Sequence, residues 1–155
     1  MTESSGSAAA VGRLDGGTHL LPVRVYYEDT DFSGVVYHAS YLRFMERGRT
    51  ELLRATGIDQ SALHGREDRL SFAVRRMTID YLKPARMDDV LTIETRTVEI
   101  GGASLIMAQR VLRGDKVLVT ADVRVAAISR GRPARIPDTL RGLLHPGRAP
   151  AVTPP

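Results

Sequence analysis

Between Val23 and Glu28 apolar and polar positions alternate, with Val23, Val25 and Tyr27 on one side and Arg24, Tyr26 and Glu28 on the other. A period of two predicts a strand with one buried face. From about Ala39 the period lengthens. Tyr41, Met45, Gly48, Leu52 and Ala55 step by four and three, and Leu42 and Leu53 widen the stripe. Arg43, Glu46, Arg47, Arg49, Glu51 and Arg54 fill the opposite face, so one long amphipathic helix is expected. Gly57 suits the C′ position that ends it. Gly48 in the helix interior costs about 1 kcal/mol relative to Ala, which predicts that sheet or backbone packs closely there. Asp59 or Ser61 is placed to cap a short second helix toward His64.

Beyond Leu70 the period returns to two. Phe72 and Val74 share one phase and Met77, Ile79 and Tyr81 the other, so a β-bulge is expected at Arg75-Arg76. Lys83-Pro84-Ala85-Arg86 breaks the strand. Leu91, Ile93 and Thr95 lead a third strand to a turn at Gly101-Gly102, and a fourth runs from Ala103 to Leu112. After Arg113-Gly114-Asp115-Lys116, a fifth places Val117, Val119, Ala121, Val123, Val125 and Ala127 on one face. A short helix is expected near Pro137–Leu144. Residues 1–20 read as a disordered leader, 21–145 as one domain and 146–155 as a Pro-rich flexible tail. The order is one strand, one long helix, then a four-strand meander. The fold class is α+β, an antiparallel five-stranded sheet wrapped around one long central helix.

The 155 residues suffice for one domain with a real core, and 43% apolar with 26% charged residues is ordinary for a soluble globular protein. Without cysteine there is no disulfide framework, thiolate metal site or catalytic cysteine. His19, His38, His64 and His145 are scattered without metal-ligand spacing, so no metal site is expected. No apolar run approaches the roughly 20 residues of a membrane span, and no signal peptide is visible. The default location is cytoplasmic. The net charge is +4 and the pI about 9.8. Five arginines from Arg130 onward face Asp138 alone, a surplus of four that equals the whole net charge. The remainder is neutral in sum, and no aromatic-interleaved basic sheet supports nucleic-acid binding.

The chemistry concentrates in Tyr26–Tyr41, where a strand crosses an acidic loop with a glycine and enters the long helix. A carboxylate is thereby delivered near a helix start, where N–H groups are unpaired and the dipole is positive. A base or nucleophile beside such an oxyanion site is what attack on a carbonyl requires.

Val23-Arg24-Val25-Tyr26-Tyr27-Glu28-Asp29-Thr30-Asp31 and Gly34-Val35-Val36-Tyr37-His38-Ala39-Ser40-Tyr41 resemble the YbgC-type, Tol–Pal-associated acyl-CoA thioesterases of the hotdog fold. Glu46-Arg47, Arg49-Thr50-Glu51, Tyr81, Pro84-Ala85-Arg86 and Asp88-Asp89 add to the match, which spans about Pro22 to Ile128. That family is similar in fold and loop to 4-hydroxybenzoyl-CoA thioesterase. The resemblance implies Asp31 as the catalytic carboxylate and His38 at the helix start, where a backbone N–H polarises the thioester carbonyl. It implies a homo-oligomer, a dimer or dimer of dimers with sites at the dimer interface. Coenzyme A enters as part of the substrate, with no separate cofactor, and acyl carrier protein is a variant carrier. The hydroxybenzoyl enzyme's Arg-Arg-Lys cluster is replaced here by Ile100-Gly101-Gly102-Ala103, so its phosphate contacts do not transfer.

A loop aspartate capping a turn is the competing reading of Asp31, and Asp29 fits that structural reading better. Tyr27, Gly34, Val35, Val36 and Tyr37 are the candidate pocket residues. Ser104 and Arg86 are candidate substrate contacts. Lys83, Arg130, Arg132 and Arg135 are further cations that could meet a coenzyme A phosphate, against a solvated-surface reading of each. Glu46 is expected to pair with an arginine one turn away. The acyl group is expected to be short or aromatic. A non-catalytic protein of the same fold, holding a thioester or a partner of phospholipid synthesis, is the alternative. A hotdog hydratase fits less well, because Asp31 and His38 stand seven positions apart.

Overall fold

The period-two segments in the second half of the chain all form strands. In the computed structural model, which describes residues 11–67 and 69–146, these are β3 (Leu70–Tyr81), β4 (Val90–Ile100), β5 (Ser104–Arg113) and β6 (Lys116–Ser129). With β1 (Arg13–Asp15), β2 (Thr18–Arg24) and β7 (Arg132–Pro133) they make a seven-stranded antiparallel sheet. Its order is β1-β2-β4-β5-β6-β3, with β7 paired to β6. The helices are α1 (His38–Ala55), α2 (Gln60–His64) and α3 (Asp138–Leu143). The α+β class with the sheet around a long central helix, the hotdog fold, is as expected; two short strands add to the five foreseen. No helix among the described residues is long and apolar enough to cross a membrane.

Three details differ from the sequence pattern. The expected leader runs through residue 20, yet Arg13–Asp15 and Thr18–Arg24 are strands, and Thr18 and His19 are fully buried. A Gly16-Gly17 turn, both glycines at positive φ, closes that hairpin. Residues 1–10 and the tail beyond 146 lie outside the described residues. The first strand also stops earlier than Glu28. Val25 donates to the Asp89 carbonyl and accepts from Asp88, and Tyr27 enters a 3-10 turn with its side chain 78% exposed. Finally, β3 pairs with β6 and not with its sequence neighbour β4. A Pro84-containing connection is no hairpin turn; Leu82 and Lys83 both donate to the Leu118 carbonyl, and the chain then crosses toward α1.

The core lies between α1 and the concave sheet face. Tyr41, Phe44, Met45, Gly48, Leu52 and Leu53 are buried on α1, opposite Leu91, Ile93, Leu105, Met107, Val123 and Val125. Phe44 completes the stripe in place of Leu42, which is 40% exposed. Each large apolar side chain buried there contributes roughly 1.5–3 kcal/mol. The helix ends as the pattern requires. Gly57 stands at φ +94, its N–H donates to the Arg54 carbonyl and the Ile58 N–H to Leu53, a Schellman cap. Asp59 caps α2 through the Ala62 N–H. The bulge lies where the phase slips, between Val74 and Arg76, and returns Met77, Ile79 and Tyr81 to the inner face opposite Val123, Ala121 and Val119.

Gly48 marks the closest approach of helix to sheet. A Cβ there would stand 2.7 Å from Thr95 Oγ1 and 2.8 Å from Ile93 Cγ2. Both neighbours are β-branched and stiff at χ1, so the extra methyl has nowhere to go. Gly48→Ala should therefore lower stability by about 1–2 kcal/mol in urea unfolding, overpacking outweighing the helix-propensity gain of about 1 kcal/mol. A stabilised variant would show that the helix can lift away from β4.

Candidate active site

The acidic loop folds as a miniature hairpin. Thr30 bridges Val36, the Asp31 N–H donates to the Val35 carbonyl at 2.9 Å, and the Gly34 N–H returns to the Asp31 carbonyl at 3.0 Å. Gly34 adopts φ +86, a left-handed conformation that suits glycine. Val36 is buried, and its N–H donates to the Ala85 carbonyl at 2.8 Å, while Val35 bridges Arg86. Asp29 has the structural role expected of it. Its carboxylate accepts from the Tyr26 N–H, and its carbonyl accepts from the Tyr37 N–H and the Ser40 hydroxyl.

Asp31 is exposed at the tip of this hairpin. Its Oδ1 accepts from the Ser33 hydroxyl at 2.6 Å and the Ser33 N–H at 2.9 Å. The Ser33 hydroxyl is the largest influence on the carboxyl pKa, which is held below its ordinary value. Desolvation, the next largest influence, opposes this, and the N–H groups of Ser33, Val35 and Asp31 add to the lowering. Asp31 is thus kept ionised.

His38 opens α1. No side chain caps this end, with Tyr37 as N-cap. The Ser40 N–H is taken by the Tyr37 carbonyl, and helix geometry gives the His38 and Ala39 N–H groups no intrahelical acceptor. The Tyr81 hydroxyl donates to the His38 carbonyl at 3.1 Å, and its ring meets the His38 imidazole edge-on at 6.3 Å. Burial raises the Tyr81 phenol pKa, so it stays a donor. Tyr41 is fixed similarly, its hydroxyl accepting from the buried Ala85 N–H at 3.1 Å.

An open cleft of about 340 Å³ joins Asp31, Val35, Val36 and His38 to Tyr41, Tyr81, Leu82, Lys83 and Pro84. Of the residues nominated from the sequence, Asp31, Val35, Val36, His38 and Lys83 therefore come together. Gly34 and Tyr37 shape the turn and the N-cap beside it. Tyr27 is outside, its carbonyl accepting from Thr30. Arg86 acts through its main chain, bridging Val35 and donating to Asp89. Ser104 sits opposite Ala126, far along the sheet from the β6 residue that faces Tyr81, Val119. Tyr41 was readable only as a core residue. Lys83 was one unplaced cation among several, until the connection after β3 folded it into the cleft.

The C-terminal arginines are largely engaged elsewhere. Arg130 donates to the Glu67 carbonyl, Arg135 pairs with Asp138 at 3.5 Å, and Arg141 donates to the Gly101 carbonyl. Glu46 makes no ion pair among the described residues, contrary to expectation. It lies in the field of Arg49, whose guanidinium donates to Gln109 at 2.9 Å. Both line a second groove of about 160 Å³, walled by Leu53, Phe72, Val74, Leu105, Met107 and Val125. No group of three His, Asp or Glu among the described residues could hold a metal ion.

Because the Ser33 hydroxyl dominates the lowering at Asp31, Ser33→Ala should raise the Asp31 pKa toward the ordinary carboxylate value. A carboxylate needed in ionised form fails as pH falls through its pKa. The acid limb of any Asp31-dependent rate should therefore move to higher pH. A ¹³C NMR titration of the Asp31 carboxyl reads the shift directly, and an unchanged midpoint would remove Ser33 from this role.

Comparison with known proteins gives this geometry a family. The profile of the thioesterase-like superfamily matches residues 25–144. The acyl-CoA thioesterase YbgC of Haemophilus influenzae is 44% identical over 134 residues, 85% of this chain and 97% of that protein. The acyl-CoA thioester hydrolase YbgC of Escherichia coli is 45% identical over 122 residues, 77% of this chain and 90% of that protein. The crystal structure of a probable thioesterase from Bartonella henselae, 48% identical, superposes with a TM-score of 0.75 over 77% of this chain and 99% of that one. The chain belongs to the thioesterase-like superfamily, among its YbgC-type acyl-CoA thioesterases.

Proposed function

We propose that this protein hydrolyses the thioester of a short or aromatic acyl-CoA, releasing the free acid and coenzyme A, with Asp31 as the reacting carboxylate. The observation that carries this reading is the shared cleft, lined both by Asp31, whose pKa is lowered, and by the uncapped start of α1 at His38. A thioester is electrophilic and its thiolate leaves easily, so a carboxylate and an oxyanion site suffice. Asp31 either attacks the carbonyl, expelling thiolate to leave a mixed anhydride that water opens, or takes a proton from the attacking water. In both routes the carbonyl oxygen gathers negative charge, and the free N–H groups at the head of α1 are suited to receive it. Lys83 at the cleft supplies a cation for the substrate's phosphates. An acyl group on acyl carrier protein is the variant substrate, and a cytoplasmic location goes with this reading.

The same reading includes a two-fold dimer. β3 is the free edge of the sheet beyond β6, and a bare edge must be covered or paired. The two hollows border opposite ends of β3, with Phe72 and Val74 in the groove and Tyr81 in the cleft. Antiparallel pairing of β3 with its twin would set the groove of one protomer beside the Asp31 cleft of the other. The groove would then take the acyl group. Its volume of about 160 Å³ is close to that of an engineered apolar cavity of roughly 150 Å³ that binds benzene, which suits one ring or a short chain.

Thiol release from short, long and aromatic acyl-CoAs tests the function. Asp31→Asn keeps shape but loses charge, so kcat should fall at least about a hundredfold, the low end of a general-base contribution, with folding intact. Glu46→Gln should change kcat little. The reverse pattern would assign the reacting carboxylate to α1, and binding without release from any acyl-CoA would make the protein a thioester-binding scaffold. Sedimentation velocity tests the assembly; a dimer or larger species is expected, and a stable monomer at micromolar concentration would end the shared-site reading.

A further inference from the structure

The Asp31 hairpin has little core of its own; it is held from outside by the segment after β3. The Val36 N–H donates to the Ala85 carbonyl at 2.8 Å, Val35 bridges Arg86, and the Asp31 N–H donates to the Val35 carbonyl at 2.9 Å. The position of Asp31 is therefore inherited from Ala85-Arg86. That segment in turn converges on one carboxylate. Asp89 Oδ2 accepts from the Arg86 N–H at 2.9 Å and from Arg113 at 3.0 Å, while the same Arg113 nitrogen reaches the Pro84 carbonyl at 3.3 Å. Asp88 adopts φ +70 in the tight turn from Arg86 to Asp89. Such a conformation persists only where the surroundings fix it. Here the Asp88 N–H and the Asp89 carbonyl both bond Val25, each at 2.9 Å.

We propose that Asp89, acting with Arg113, is a positioning residue that sets the placement of Asp31 through Pro84-Ala85-Arg86. Neither side chain lines the cleft. Their effect runs through the main chain: the Asp89 carboxylate holds the Arg86 N–H, the adjoining Ala85 carbonyl accepts from the Val36 N–H, and the Val35 carbonyl accepts from the Asp31 N–H. The pair is partly shielded, with side chains 25% and 37% exposed. Burial raises the Asp89 pKa, and the bonds from Arg86 and Arg113 more than offset this, so the carboxyl sits below its ordinary value and acts as an anion. For the reaction this rests on the thioesterase reading above, because a misplacement of about 1 Å at a reacting group can cost on the order of a hundredfold in rate.

The test measures both chemistry and local order in Asp89→Ala, Asp89→Asn, Arg113→Ala and the double Ala variant. Asp89→Ala should lower kcat by roughly ten- to a hundredfold with KM nearly unchanged. Asp89→Asn, which keeps one acceptor, should fall between it and wild type. The double variant should be no worse than the more damaged single one, since both break one device. Amide hydrogen exchange should quicken at Val36 and Asp31 while Val123 and Ala121 in β6 keep their protection. Unchanged exchange at Val36 would overturn the proposal whatever happens to the rate, and so would equal loosening of β6, which would make Asp89 a fold residue. If Asp89→Ala does not fold, Asp89→Asn carries the same criteria. If wild type cleaves no acyl-CoA, the thioesterase reading fails separately and the exchange data still decide the clamp.

Discussion

The structure depends on how closely α1 is pressed against the sheet. At Gly48 nothing but hydrogen separates helix backbone from Thr95 and Ile93. Beside it the buried Gln109 amide donates to both the Met45 carbonyl and Thr95 Oγ1, each at 2.8 Å. A side chain at that point would prop the helix outward and loosen contacts along its length, because well-packed interiors transmit such displacements. The seated helix puts Tyr41 under Ala85 and delivers the helix start to the level of the Asp31 hairpin. The apolar core and the candidate chemistry thus share one constraint.

The site separates scaffolding from reactivity. Main-chain bonds and two phenols, one of them buried, supply the scaffold, through Tyr41 on Ala85, Tyr81 on His38 and Ala85 on Val36. The parts proposed to react stay exposed: an aspartate with a serine for support and a helix end with no capping side chain. A capping Ser or Asp at the head of α1 would occupy the N–H groups proposed to receive the oxyanion. The helix forgoes that stabilisation, of about 1 kcal/mol in a typical cap, and Tyr81 instead holds the first carbonyl from outside.

Charge shows how far a composition can mislead. The arginines after Ser129 account for the basic balance of the chain, which suggests an anion-binding tail. Folded, Arg130 and Arg141 are spent on main-chain carbonyls, and Ile136, Leu140 and Leu144 bury this segment against the sheet. The cation that does enter the cleft, Lys83, belongs to the neutral remainder of the chain.

Periodicity alone determined the long helix, its glycine at the contact point, its Gly57 end, the β3 bulge and the strands from β3 to β6. Each follows from side-chain direction in a helix or strand, which is local. The loop with Asp31, Gly34 and His38 stood out through its resemblance to the YbgC-type thioesterases; its spacing alone left Asp31 equally readable as a turn-capping aspartate. Strand order was not legible, since pairing β3 with β6 rather than β4 depends on the path of residues 82–89 across the fold. Nor was the burial of His19 or the exposure of Tyr27, which turn on where β2 finds its partner in β4 and where Asp88-Asp89 intercept the chain at Val25. The neighbours of Asp31 in space, Tyr41, Tyr81 and Lys83, come from one helix and one strand end. Only tertiary packing chose them, because such contacts join residues that carry no mutual signal along the chain.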